Sequence, residues 1–81
     1  MYKNKYNSRN NICGINIAKM RTEMKPYMSQ RALADKLQII GLDVDKNAIQ
    51  RIEDGKRFVT DIELLSFSKL FNTSTDQLLK I

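Results

Sequence analysis

At 81 residues, 42% hydrophobic and 28% charged, the chain has the length of one domain and the composition of soluble globular material, and no apolar run approaches the ~20 residues that span a bilayer. It has no histidine and a single cysteine, Cys13, and Gly14, Gly41 and Gly55 stand isolated, which removes a disulfide framework, a zinc-ligand set, the commonest general acid–base residue and a glycine-rich phosphate loop. The expectation is a cytoplasmic protein that is not an enzyme and carries no metal or cofactor, and a net charge of +5 favours a polyanionic partner, above all nucleic acid.

The charge is unevenly placed. Residues 1–31 hold seven basic side chains against Glu23 alone, whereas the remaining fifty hold seven basic against eight acidic ones. Residues 1–10 (MYKNKYNSRN) are basic, polar and without period, and read as a flexible arm. Lys3, Lys5, Arg9, Tyr2 and Tyr6 there suit either a DNA backbone or minor groove, or a solubilising tail. Residues 11–81 form the domain. Its first helix is expected from an Asn11 cap to about Met24, with Cys13, Ile17, Met20 and Met24 as its apolar stripe and Pro26 beyond its end. Gly14 inside it costs about 1 kcal/mol relative to alanine.

Four later helix starts share one design. Met28-Ser29 leads to Leu33, Val44-Asp45 to Ile49, Val59-Thr60 to Leu64, and Thr73-Ser74 to Leu78. Each supplies a capping oxygen, the first three add an apolar staple, and Thr60 with Glu63 and Ser74 with Gln77 complete capping boxes. Gly41, Gly55 and Asn72 tolerate the left-handed conformation that closes a helix. The pattern predicts helices near 30–40, 46–54, 61–71 and 75–80 and no strand: an all-α bundle of five short helices. Phe58, Phe67 and Phe71 read as core, as do Met20, Met24 and Met28, and Cys13 reads as a small buried residue.

The third helix carries the most pointed signal. Ile49 and Ile52 face inward, whereas Lys46, Asn47, Gln50 and Arg51, at i, i+1, i+4 and i+5, share the opposite face. Arg and Lys are the side chains that donate to guanine O6/N7, and Asn and Gln pair with adenine N6/N7. A solvated polar face would look the same, so the flanks decide. Gln30 and Arg31 open the second helix behind Ser29, where free N–H groups suit a phosphate, and Lys56 and Arg57 follow the third helix. Such flanking contacts fix register without reading sequence.

From about Gly14 to Leu79 the chain resembles the helix-turn-helix domain of the phage repressor and Cro class, the xenobiotic-response-element family of transcriptional regulators. The resemblance rests on INIAKMR, MSQRALADKL, NAIQRIEDGKRF and LLSFSKLFNTSTDQLL, with IQRIEDGKR the most specific. It implies a compact lambda-repressor-like five-helix DNA-binding domain whose third helix enters the major groove. It further implies that Lys46, Asn47 and Arg51 meet bases, that Gln30 contacts phosphate and braces the recognition helix, and that Arg21 and Glu53 form a structural ion pair.

Two departures from the family pattern stand out. Gln38 occupies the place of a turn glycine, and QIIGL (residues 38–42) looks like an insertion that lengthens helix two by roughly one turn. Asp54 stands where a phosphate-donating asparagine is common, and an aspartate repels phosphate. The expected function is therefore sequence-specific binding of a double-stranded DNA operator by a bacterial or phage-type repressor. Leu78, Leu79 and Ile81 form an apolar end that either packs on the core or meets a second subunit in a two-fold dimer. The rival reading is a protein-interaction adaptor or antitoxin-like module, with Ile39, Ile40 and Leu42 as its docking patch.

Overall fold

Ser29, Asp45, Thr60 and Ser74 each stand one residue ahead of a helix, and each side-chain oxygen accepts the backbone N–H three positions on, at 3.0, 2.8, 3.2 and 3.1 Å. The helices they open are α2 (Gln30–Ile39), α3 (Lys46–Glu53), α4 (Asp61–Phe71) and α5 (Thr75–Leu78). They follow α1 (Cys13–Glu23), and together they make up the regular structure of a computed structural model that describes residues 5–81. Among the described residues there is no strand, only an isolated bridge between Tyr6 and Arg9.

Helix ends follow the same local chemistry. Gly41, Gly55 and Asn72 all have positive φ, at 98°, 80° and 53°. Behind each, a backbone N–H reaches back to close the helix: Leu42 to Leu37 O, Lys56 to Arg51 O and Thr73 to Ser68 O. At α4 the capping box is complete, because Glu63 returns a carboxylate oxygen to the Thr60 N–H at 3.0 Å. The start of α1 is looser. Asn11 Oδ1 does accept the Gly14 N–H at 2.8 Å, but regular helix begins only at Cys13 and ends at Glu23, ahead of a cis Lys25–Pro26 peptide.

The core draws on every helix. Ile17 of α1, Leu33 and Leu37 of α2, Ile49 and Ile52 of α3, Phe67 of α4 and Leu78 of α5 are completely buried. Each contributes on the order of 1.5–3 kcal/mol of hydrophobic stabilisation. Cys13, Met28 and Val44 are also buried, and Met20, Met24, Val59, Leu64 and Phe71 pack against them partly covered. Accordingly α3 sits against α1 and α2, while α5 closes the far side against α1 and α4.

The structure departs from the sequence-based expectations in three places. Residues expected in a flexible arm are held in place: Tyr6 and Arg9 close a tight turn, and Arg9 and Asn10 are tied to the end of α3 and the loop behind it. Lys3 and Tyr2 lie outside the described residues. Helix α5 ends at Leu78, short of residue 80, and Asn16 Nδ2 of α1 takes the Leu78 and Lys80 carbonyls, at 2.7 and 2.9 Å. Phe58 is not core; it is 59% exposed in the loop ahead of α4.

Candidate nucleic-acid interface

Helix α3 divides cleanly between its two faces. Ile49 and Ile52 are fully buried, while Lys46, Asn47, Gln50 and Arg51 are exposed together on the outer side. Among the described residues no ion pair engages Lys46 or Arg51, so both charges are open to solvent. Asp54, at the C-cap of α3, is exposed as well.

What holds this helix is a buried carboxylate. Glu53 receives Arg21 Nε at 2.8 Å, Arg21 Nη2 at 3.0 Å and Gln30 Nε2 at 2.9 Å, which joins α1, α2 and α3 at one point. The pair is almost fully covered, with 8% and 7% of the two side chains accessible. Hydrogen bonding to Glu53 raises the Arg21 pKa further above its ordinary value, against the opposing effect of burial. Arg21 Nη1 also donates to Met28 O at 3.0 Å, which fixes the approach to α2. A bidentate Arg–carboxylate pair of this kind is geometrically strict, so α3 is set in one orientation relative to α1.

The flanking residues differ in what remains free. Arg31, in the first turn of α2, and Lys56, after α3, are exposed. The Ser29 hydroxyl oxygen is used as the α2 cap, and the Gln30 amide is used on Glu53. Arg57 has a partner of its own: Nη1 and Nη2 each lie 2.9 Å from a Glu63 oxygen. The Arg57 guanidinium holds the Glu63 carboxyl below the usual carboxylate range, with burial opposing it and the Thr60 N–H assisting. Arg57 therefore fixes the 55–60 loop to α4.

Sequence reasoning missed a further group. Arg9 Nη2 donates to Ile52 O and Glu53 O at 3.3 and 2.8 Å, and Asn11 Nδ2 donates to Ile52 O and Arg57 O at 3.0 and 2.7 Å. Asn10 contributes its N–H to Gly55 O at 2.7 Å and its Nδ2 to Lys56 O at 2.9 Å. The glycines make room for this strap. A Cβ on Gly14 would collide with Ile52 O, and one on Gly55 would collide with the Arg9 side chain. In the sequence, Arg9 and Asn10 look like the end of a loose polar tail and Asn11 like a helix cap alone.

A groove of about 520 Å³ runs between the strap and α4, is lined by Tyr6, Asn11, Cys13, Val59 and Leu64 among others, and takes no residue of α3. Burial pushes the Cys13 thiol beside it up to about 11, which leaves it protonated at neutral pH. Among the described residues no group of His, Cys, Asp or Glu could hold a metal ion, and no helix is long and apolar enough to cross a membrane. Of the apolar end, Leu78 is buried in the core, so only Leu79 and Ile81 remain accessible. No protein-family model, curated protein or solved structure matches this chain.

Proposed function

We propose that this chain is a sequence-specific double-stranded DNA-binding regulator of the phage repressor and Cro class, a repressor that lays α3 in the major groove of its operator. The observation that carries this reading is the outer face of α3. Four side chains of base-reading type are exposed there side by side, on a helix clamped from behind by Arg21, Glu53 and Gln30. A helix of 8 residues with one polar and one apolar face fits a groove about 12 Å wide. Arg31 and Lys56 are the cations free to meet phosphates on either side, where contacts supply affinity without sequence information. Leu79 and Ile81 are the accessible apolar residues through which a two-fold dimer would form.

The test is selection of bound duplexes from a random-sequence pool at near-physiological salt. An enriched motif supports the reading. An inverted repeat with half-sites about 10–10.5 base pairs apart supports the dimer as well. A folded chain that enriches nothing overturns both.

A second reading has an observation of its own. Ile39 is 83% and Ile40 49% exposed at the end of α2, an apolar pair that a partner protein would cover in an adaptor or antitoxin-like module. Leu42 does not join them, because it packs against the core. Charge substitution of Ile39 and Ile40 that leaves DNA selection intact but abolishes partner capture would support this reading.

A further inference from the structure

We infer that Arg9, Asn10 and Asn11 are positioning residues for DNA binding: they lock the last turn of α3 and the loop behind it so that Lys56 is presented outward at a fixed place. The inference rests on the reading of α3 as the DNA-reading helix. Three consecutive residues donate six hydrogen bonds to the carbonyls of Ile52, Glu53, Gly55, Lys56 and Arg57. Two of these carbonyls, those of Ile52 and Glu53, belong to the last turn of α3; Ile52 O also takes the Gly55 N–H at 3.0 Å, and a guanidinium there offsets the negative end of the helix dipole.

The donors are themselves fixed. Tyr6 and Arg9 exchange backbone hydrogen bonds of 2.9 and 2.8 Å across a turn in which Asn7 and Ser8 adopt φ of 49° and 67°. The Arg9 side chain then lies in the space left by Gly14 and Gly55, with no room for a methyl group at either. With the inner side of residues 55–57 held by the strap and Arg57 held by Glu63, Lys56 is exposed and, among the described residues, joins no ion pair. A cation on a locked loop loses little freedom when it meets a phosphate.

The experiment compares the unaltered chain with Arg9→Ala, Asn10→Ala and Lys56→Ala, and with Arg9→Ala and Asn10→Ala each combined with Lys56→Ala. Affinity for an enriched duplex is measured across a salt series, at a temperature where circular dichroism shows each variant folded. Arg9→Ala should weaken binding about tenfold and flatten the salt dependence by about one unit, as Lys56→Ala does. In the chain that already carries Lys56→Ala, the same substitution should cost no more than about twofold, because the cation it positions is gone. Asn10→Ala removes one solvent-side bond and should act in the same direction about threefold, even if Arg9→Ala does not fold. Arg9→Lys, which keeps a cationic donor at the end of α3, should recover part of the loss.

Equal losses with and without Lys56, or no loss, overturn the positioning role while DNA binding stands. An unaltered chain that binds no duplex overturns the DNA reading, and this inference with it.

Discussion

The Glu53 carboxylate takes both Arg21 Nε and Arg21 Nη2, across 32 positions of sequence and at a site from which solvent is nearly excluded. A buried pair of this kind contributes little net stability relative to an apolar replacement, but removing one partner leaves a desolvated charge. Arg21→Ala should therefore destabilise the fold by about 3–5 kcal/mol, a large fraction of what a small domain has. Replacing both residues together by apolar side chains of similar volume should cost much less. Urea melts of the single and double variants check this, and a single-variant loss below about 1 kcal/mol would mean that water reaches Glu53.

Gly14 sits within α1, where alanine is the better helix former by about 1 kcal/mol. The expected outcome of Gly14→Ala is nevertheless destabilisation, because the new Cβ meets the Ile52 carbonyl and the Arg9 guanidinium. Overpacking of a close backbone contact costs about 1–3 kcal/mol, which outweighs the propensity gain. A thermal melt decides the sign. An increase in the melting temperature would show that α1 and α3 can move apart freely.

The helix caps were legible because each is settled within four residues: Ser29, Asp45, Thr60 and Ser74 at the starts, Gly41, Gly55 and Asn72 at the ends. The outer face of α3 was legible because helix periodicity alone separates Lys46, Asn47, Gln50 and Arg51 from Ile49 and Ile52. Arg9 was not, since its partners lie 43 and 44 positions away and are carbonyls, which every residue has. For Arg57, charge alone does not say whether a loop arginine turns to a phosphate or to a carboxylate six positions on. At α5 an apolar triplet does not reveal which member faces inward; the choice of Leu78 is made by packing against α1 and α4.

Glu63 gives the fold an acid-sensitive element. Its folded pKa is lowered, chiefly by Arg57, so its contribution to stability is present above the unfolded carboxylate value of about 4.3 and is lost as pH falls through the folded value. Glu63→Gln should be less stable than the unaltered chain at pH 7, and the gap should narrow below about pH 4. Denaturant midpoints of both chains across that range would show it. A gap that stays constant down to pH 2 would assign the difference to shape, not to the ion pair.

Cys13 titrates in the opposite direction. Its folded pKa is about 11, raised mainly by burial, so the associated stability is intact below the free thiol's value of about 8.5 and erodes as pH rises toward the folded one. A thiol reagent at pH 8 should react slowly with the native chain and rapidly in denaturant, with the native rate tracking the unfolded fraction. Equal rates in both states would place the thiol at the surface.

Arg51 and Lys56 separate the two kinds of contact that the proposed function requires. Arg51 lies on the exposed face of α3 with neighbours of base-reading type, whereas Lys56 lies beyond the helix end on the strapped loop. Arg51→Ala should cost about 1–3 kcal/mol on the best duplex and relax preference at one base position, since a bidentate guanine contact discriminates by that amount. Lys56→Ala should weaken all duplexes alike and reduce the salt slope by about one. Titration of both variants against the enriched motif and a scrambled duplex, at two salt concentrations, tells the two apart. A uniform loss on Arg51→Ala would make that residue a phosphate contact and leave Lys46, Asn47 and Gln50 as the base readers.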